Sequence, residues 1–320
     1  MKDAPVAPTL GDELAHWLAR VRLDPPQRIG TLEIHPVRLE GEPGKPYLLL
    51  HEAIATKALE VVETVSEDVN EVVARNVGDR PVLILEGESV HGAKQNRVIT
   101  VDILIAAGTQ VSVFVGCVEQ GRWDENHSAF ESGEMAAEPE LRRSIRQDSS
   151  ADGKPHQGKL WGAVARKLGR SDTKSPSSDY YAFMKRFKAR VAEVSHSLTT
   201  APDQVGILVT EGGRLVGFDL LGHPRNWGAV ADRLSHSYVL GSLHEDGELD
   251  GVSAARRPEE WLERIAHAGV ALEPTEGLGV RFKLTDDSII GGGLWHEGRA
   301  VHLAAFGFKR LATPGGWVAT

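Results

Sequence analysis

The sequence predicts an α+β fold: antiparallel β-sandwich or barrel-like sheets with helices packed on their faces. Three observations predict it. Both ends of the chain are built from short runs rich in Val and Ile, broken by Gly, Pro, Asn or Asp, whereas the middle shows helical spacing. The short runs recur at intervals that suit antiparallel pairing better than alternating strand–helix units. No heptad, low-complexity tract or strong internal repeat points to a coiled coil or solenoid.

Taken in order, "LGDELAHWLARV" (10–21) places Leu10, Leu14, Trp17, Leu18 and Val21 at helical spacing, and Pro25-Pro26 stops it. Strand candidates follow up to Trp123: "IGTLEIHPVRLE", "YLLLHEA", "LEVVETV", "NEVVARNV", "PVLILEG", "NRVITVDILIAAG" and "QVSVFVGCVEQG". "HEAIATKAL" reads alternatively as one short helix. Residues 127–150 turn polar and carry no assigned element. Two helices are expected at about 157–168 and 178–194, the second after a Ser-rich N-cap region. Their apolar stripes, Trp161, Val164, Ala165 and Leu168, and Tyr180, Phe183, Phe187 and Val191, read as core.

"QVGILVTEGGRLVGFDLLG" is a hairpin turning at Glu-Gly-Gly. "PRNWGAVADRLSHSYVLGSL" is a helix with Pro224 in its first turn, and "RPEEWLERIAHAG" another, with Gly269 as its C-cap. "GVRFKLTD", "SIIGGGLWHEG" and "AVHLAAFGFKR" are strands, and the tail "LATPGGWVAT" reads as poorly anchored.

The chain has 320 residues, a formal net charge of −9 and 41% hydrophobic residues. At roughly 150 residues per domain this length allows two domains or one large β-rich one. The acidic balance argues against nucleic-acid and membrane-surface binding, while leaving room for a local basic pocket. A single cysteine, Cys117, forms no internal disulfide. The N-terminus has no apolar core of signal-peptide length, and no stretch approaches ~20 apolar residues, so a cytoplasmic location is expected.

The densest chemistry lies in "EGESVHGAKQNRVITVDILIAAG" (86–108). Gly87 and Gly92 permit tight turns. Lys94 and Arg97 are cations, and Arg97 has the fork geometry that clamps a carboxylate or phosphate. Gln95 and Asn96 supply donors and acceptors, and His91 stands beside them. A second cluster follows in "CVEQGRW": Cys117, Glu119, Arg122 and Trp123. Pairing of "VITVDILI" with "VSVFVGCV" as a hairpin through "AAGTQ" would bring the two clusters to one end of a sheet. Such a set suits a small anionic or polyol ligand. The alternative is a solvated rim or an ion-pair network, with Arg97 and Arg122 serving Glu86 and Glu119.

Other chemistries are less well supplied. His91 lacks the nearby His partner that a cupin-like metal site needs, and no metal or other cofactor is expected. His236 and His244 fall near one helical face, which reads as surface. Cys117, inside a strand, reads as a small core residue. "GGRLVG" and "GGGLWHEG" lack the features of a phosphate loop. Asp219 reads as a helix cap before a site acid.

The segment "LEGESVHGAKQNRVITVDILIAAGTQVSVFVGCVEQGRW" resembles the hallmark of the ARG and rhodanese-phosphatase-superfamily-associated protein (ARPP) domain family. The matching positions are Gly92, Ala93, Lys94, Gln95, Asn96 and Arg97, then Cys117, Val118, Glu119, Gly121, Arg122 and Trp123. Gly116 replaces the family's Ser, and Val115 departs from its Pro-Val. "VGILVTEGGRLVGFDLLGHPRNW" and "VHLAAF" are also similar. The resemblance implies one domain over 28–310 (β-rich 28–123, helical 127–200, α+β 201–310), preceded by a helix and linker at 1–27. It also implies a role near NAD- or ADP-ribose-type metabolism, beside ADP-ribosylglycohydrolase or phosphatase-type partners.

Two functions follow as expectations. In the first, an enzyme acts on a phosphorylated ribose or nucleotide-like molecule. Glu119 and Lys94 are then catalytic, with Glu86 in reserve, and Gln95, Asn96, Arg97, Arg122, Trp123 and His91 bind the ligand. In the second, the same residues form a non-catalytic binding or scaffold module beside an enzyme partner. The absence of Gly-x-Ser-x-Gly, Cys-x-x-Cys and paired-His motifs leans toward the second.

Overall fold

The computed structural model describes residues 8–64, 69–122, 129–243 and 255–308, together with the backbone of 310–313 and 316–319. The expected α+β class is found. A nine-stranded antiparallel sheet forms the backbone of the fold. Its order is Val21–Leu23, Leu32–Leu39, Gln204–Glu211, Arg214–Leu221, Arg299–Gly307, Ile289–His296, Val280–Thr285 and Gly269–Glu273, with Gln27–Ile29 paired to Leu32–Leu39. Gly212 and Gly213 turn the central hairpin with positive φ (54° and 74°), the conformation that a two-residue turn demands.

Side chains alternate across this sheet, and the alternation sorts the core. Leu208, Phe218, Leu220, Phe282, Leu284 and Leu303 point to one face. There they pack on Leu14, Trp17 and Leu18 of helix α1 (Leu10–Leu18) and on Trp261 and Ile265. Thr9 caps α1 by a reciprocal bond with Asp12. The helix ends at Leu18, short of the expected Val21, because Val21 pairs with Leu39 as a strand. Ile207, Val209, Leu221, Leu294 and Val301 point to the inner face.

The N-terminal β-rich half forms two smaller sheets. One has six strands, ordered Phe130–Ser132, Ser89–Gly92, Arg97–Ile99, Gln110–Cys117, Glu71–Asn76 and Leu59–Glu63. A bridge between Val62 and Ala129 brings its two edge strands together, so it curls toward a barrel. The other pairs Ile103–Ile105 with Val82–Ile84, and Val82–Ile84 in parallel with Leu48–Leu49. "HEAIATKAL" contains a short helix, α2 (Leu50–Ala55).

The hairpin expected from "VITVDILI" and "VSVFVGCV" forms only in part. Arg97–Ile99 pairs antiparallel with Val115–Cys117 as expected. The run then breaks at Thr100–Asp102, and Ile103–Ile105 joins the other sheet. Asp102 causes the departure: its carboxylate is held in the interior rather than projecting from a continuous strand.

Helix α3 (Pro139–Asp148) arises inside the segment left unassigned, with Pro139 in the first turn and the Glu138 carboxylate accepting from Glu140 N. Helices α4 (Gln157–Arg170) and α5 (Tyr180–Ser195) match their expected positions. On α4 the buried face is Leu160, Val164, Lys167 and Leu168, while Ala165 is exposed. Asp179, rather than a serine, caps α5, and Ser175 Oγ in turn accepts from Asp179 N. Helix α6 (Pro224–Ser242) lies on the inner face of the large sheet through Trp227, Val230, Leu234 and Tyr238. Helix α7 (Pro258–Ala266) closes at His267, and Gly269 instead opens an edge strand. The tail backbone forms a hairpin, Arg310–Thr313 with Gly316–Ala319, that its composition did not suggest. Trp123 and His244 lie outside the described residues.

Candidate functional site

The hairpin Ser89–Gly92 with Arg97–Ile99 runs between two polar centres. Its turn carries Lys94, Gln95 and Asn96, and its base carries Glu86, Glu88 and Asp102. Gly92 and Ala93 both take positive φ, 104° and 44°, to make the turn.

At the turn, the two sequence motifs do meet. Asn96 N donates to Glu119 Oε2 at 3.1 Å, and Gln95 Nε2 donates to Glu119 O at 3.0 Å. Arg122 reaches back, with Nε donating to Glu119 Oε2 at 2.8 Å and Nη1 to Ala93 O at 2.9 Å. Ser177 Oγ supplies a further donor to Glu119 Oε1, and Asn96 Nδ2 donates to Asp179 Oδ2. Arg97 is wholly buried and is held by both oxygens of Glu63, at 3.1 and 3.2 Å, and by Val69 O. Lys94 N donates to the same Glu63 carboxylate. Arg97 therefore pairs with Glu63 and not with Glu86, while Arg122 does pair with Glu119.

His91 stacks on Tyr181 with ring centroids 3.8 Å apart and lies 3.1 Å from Ser89 Oγ. Burial holds its pKa down to about 4, so it is a neutral ring at pH 7 and no anion clamp. Cys117 is buried, its thiol donates to Gln95 Oε1 at 3.1 Å, and burial raises its pKa, which keeps it protonated. The motif residues bind chiefly one another.

At the base of the hairpin lies a charge cluster that motif reading missed. Asp219 stands on the inner face of strand Arg214–Leu221, fully buried, and is no cap; the ring of His223 caps α6 instead. Arg142 from α3 donates to both Asp219 oxygens at 2.7 and 2.8 Å. Tyr238 from α6 donates to Asp219 Oδ2 at 2.7 Å. His302, also wholly buried, sits between two carboxylates, with Nδ1 2.8 Å from Asp102 Oδ1 and Nε2 3.2 Å from Asp219 Oδ1. Asp102 Oδ1 also accepts from Glu86 N at 2.8 Å, and the Glu86 carboxylate pairs with Arg146 of α3.

Two glycines make room for the arginines. A Cβ on Gly87, whose φ is +87°, would lie 2.7 Å from Arg142 Cδ and Nε. One on Gly292 would lie 2.3 Å from Phe282 O and 2.5 Å from Arg146 Nη1.

Burial opposes charge on His302, yet Asp102 and then Asp219 outweigh it and raise its pKa to about 9. The ring is a cation at neutral pH. Burial likewise pushes the carboxyls of Asp102 and Asp219 up, but His302 on the first and Arg142 on the second hold both below the usual range. Glu86 is raised by burial, which Arg146 and Arg142 offset only in part. Burial also pushes Glu88 up to about 7.

The cluster reaches, through Asp102, a narrow recess that opens to solvent and whose interior measures about 20 Å³, room for a water or two. Asp102, Arg146, Arg281 and Lys283 line it, with Glu273 and Gly153 at its wall. Arg281 and Lys283 share the inner face of strand Val280–Thr285, opposite Phe282 and Leu284. Arg281 donates to Glu273 Oε2 and Asp152 O, both at 3.0 Å, and Lys283 to Arg146 O at 3.2 Å. Two buried polar atoms on lining residues have no partner: Asp102 Oδ2 and Arg146 Nε. Among the described residues, no group of three His, Cys, Asp or Glu side chains is placed to hold a metal ion.

A signal for these residues was present in the sequence. Asp219 in "GFDLLG" and His302 in "AVHLAAF" are ionisable residues set singly in apolar strand runs, and such a residue is buried only with a partner. Arg142 and Arg146 gave no such signal, because they sit in a polar stretch that reads as surface.

No helix among the described residues is long and apolar enough to cross a membrane. No curated protein and no solved structure matches this chain. The family model of ARPP-1, the ARG and Rhodanese-Phosphatase-superfamily-associated Protein domain, matches residues 20–306. That span holds the motif junction, the buried charge cluster and the recess together, and the chain belongs to the ARPP-1 domain family.

Proposed function

We propose that this chain is a cytoplasmic binding domain for a small anionic metabolite, whose anionic group it holds at the open mouth of the recess beside Asp102. Within the compounds that the family resemblance implies, the phosphorylated riboses suit this site, with the phosphate at the mouth and the sugar outside it. One observation carries the reading: Arg146, Arg281 and Lys283 converge on a single recess that is also lined by Asp102, behind which lie His302, Asp219 and Arg142. Counted with the cluster, five cations (Arg142, Arg146, Arg281, Lys283 and His302) meet four carboxylates (Glu86, Asp102, Asp219 and Glu273), so an added anion restores the balance. Asp102, backed at neutral pH by an imidazolium, is a good acceptor and a weak base. That favours holding a ligand over proton abstraction. The family's description links it to phosphatase-superfamily proteins, and a phosphatase-type partner suits a domain that presents or senses a phosphate-bearing compound.

The motif junction is then a brace. Gln95, Asn96, Arg97, Glu119 and Arg122 fix the far end of the hairpin whose base presents Glu86 and Asp102.

A second reading makes the junction an active site for a phosphorylated ribose, with Glu119 as acid or base, Lys94 assisting, and Trp123 stacking on the ligand. It is favoured by the convergence on Glu119 of Arg122, Asn96 and Ser177, and by the partial exposure of Arg122.

Calorimetric titration with inorganic phosphate and ribose 5-phosphate, followed by mass spectrometry of the recovered ligand, tests the choice. The recess reading expects binding without consumption, weakened at least tenfold by Lys283→Met. Consumption abolished by Glu119→Gln supports the junction reading instead.

A further inference from the structure

Helix α3 is charged on two sides. Arg142 and Arg146 turn to the buried cluster, while Glu140, Arg143 and Ser144, spaced three and four apart, share the opposite face. On α4 the same spacing puts Arg166, Lys167 and Arg170 on one face. These two faces line an open groove of about 310 Å³, the size of a small-molecule site. Lys167 is buried beneath it and ties the helices together, its ammonium 2.6 Å from Glu140 and 3.3 Å from Glu138. Arg170 lies 3.3 Å from Glu140 as well. The other two cations of the groove have no carboxylate partner. Arg143 donates Nη1 to an uncharged acceptor, Gly307 O, at 3.0 Å. Arg166 is exposed and, among the described residues, has no hydrogen bond or ion pair. It also stands one turn from Arg170, a spacing at which like charges repel. Four cations, Arg143, Arg166, Lys167 and Arg170, thus face two carboxylates, Glu138 and Glu140.

We propose that the groove between α3 and α4 is a second ligand site, for a small organic molecule that carries two anionic groups. One group bridges Arg166 and Arg170 along α4, and the other meets Arg143 on the α3 wall. Guanidinium forks match the paired oxygens of phosphate and carboxylate alike, so the shared chemistry is the pair of anionic groups. A single phosphate reaches one wall only and is held weakly. The site uses none of the cations of the recess and stands independently of it.

The test is calorimetry on Lys283→Met, in which the recess is disabled, with fructose 1,6-bisphosphate, citrate and inorganic phosphate as titrants. At least one of the two organic ligands is expected to bind tenfold or more tightly than phosphate, and the tighter of them tells phosphate from carboxylate. Adding Arg166→Glu should weaken that ligand at least tenfold; Arg166 is exposed and makes no contact that the fold needs. Adding Arg214→Glu instead, the same charge reversal at an exposed position outside the groove, should leave it unchanged. Affinity no greater than that of phosphate overturns the groove site, and so does binding that survives Arg166→Glu or falls equally with Arg214→Glu. Phosphate binding to the wild-type chain that is indifferent to Lys283→Met counts against the recess alone.

Discussion

His302 and Asp102 stand 200 positions apart in sequence and meet at 2.8 Å in the protein interior. Asp219 closes on the other ring nitrogen at 3.2 Å. The folded state therefore holds the imidazole proton more tightly than the unfolded chain, in which the ring titrates near 6.5. The stabilisation is complete below about pH 6.5 and is lost as pH rises through about 9. Urea unfolding between pH 6 and 10 should show stability falling by roughly 3 kcal/mol across that window. His302→Gln should flatten the part of the fall above about pH 8, where Glu88 no longer titrates. A wild-type profile that is flat there contradicts the buried imidazolium.

Arg142 and Asp219 form a bidentate pair with no exposed side-chain surface on either partner. Removing one partner leaves the other charge unpaired in the interior. Arg142→Met alone is expected to cost about 3–5 kcal/mol. The double variant Arg142→Met with Asp219→Asn should recover a substantial part of that loss. Denaturant unfolding of the four proteins of the cycle measures the coupling, and additive losses would show that the two do not act as a pair.

Glu88 has a consequence of the same sign at lower pH. Its second oxygen, Oε1, has no partner, and burial lifts its pKa to about 7 from an ordinary 4.5. The folded state keeps this proton, so stability falls as pH rises from 4.5 through 7. Glu88→Gln preserves the acceptor for Leu85 N, at 2.9 Å in the wild type, and removes the titration. The variant should match wild type at pH 4 and exceed it at pH 8 by a few kcal/mol. Equal stability at both pH values would contradict a buried, proton-holding carboxyl.

The large elements were legible because their signals are local. The period-2 runs of the C-terminal strands, the Glu-Gly-Gly turn and Pro224 each dictate structure within a few residues. The meeting of Asn96 with Glu119 was also legible, since pairing of Arg97–Ile99 with Val115–Cys117 requires it. The charge cluster was not. Its members come from positions 86, 102, 142, 146, 219, 238 and 302, and no local pattern links them. Helix α3 hid for the same reason. Only Leu141 and Ile145 mark its core side, and its buried arginines look like surface until Asp219 and Glu86 are known to face them.

The Gly-Gly-Gly run of strand Ile289–His296 has a specific task at Gly292. A methyl group there would meet the backbone at Phe282 O and the Arg146 guanidinium. Gly292→Ala is expected to destabilise the fold by about 1–3 kcal/mol and to weaken phosphate binding together with it. Gly298, with open space around its Cβ position, is the matched site to compare for local crowding, although its positive φ adds its own strain. Thermal unfolding with and without phosphate reads both effects; unchanged phosphate binding in Gly292→Ala would detach Arg146 from the site.

Glu119 tests the role of the motif junction. As a brace, Glu119→Gln should lower stability by about 1–3 kcal/mol through its bonds to Asn96 N, Arg122 and Ser177, with phosphate affinity nearly unchanged. Denaturant melts and calorimetry on the same preparation separate the two. Loss of ligand affinity at full stability would move the site to the junction.

The position of a bound anion decides between the recess and the junction most directly. Crystals grown without sulfate or phosphate and soaked in tungstate should show one strong anomalous peak among Arg146, Arg281 and Lys283. A peak beside Arg122 and Lys94, or none at either place, contradicts the account.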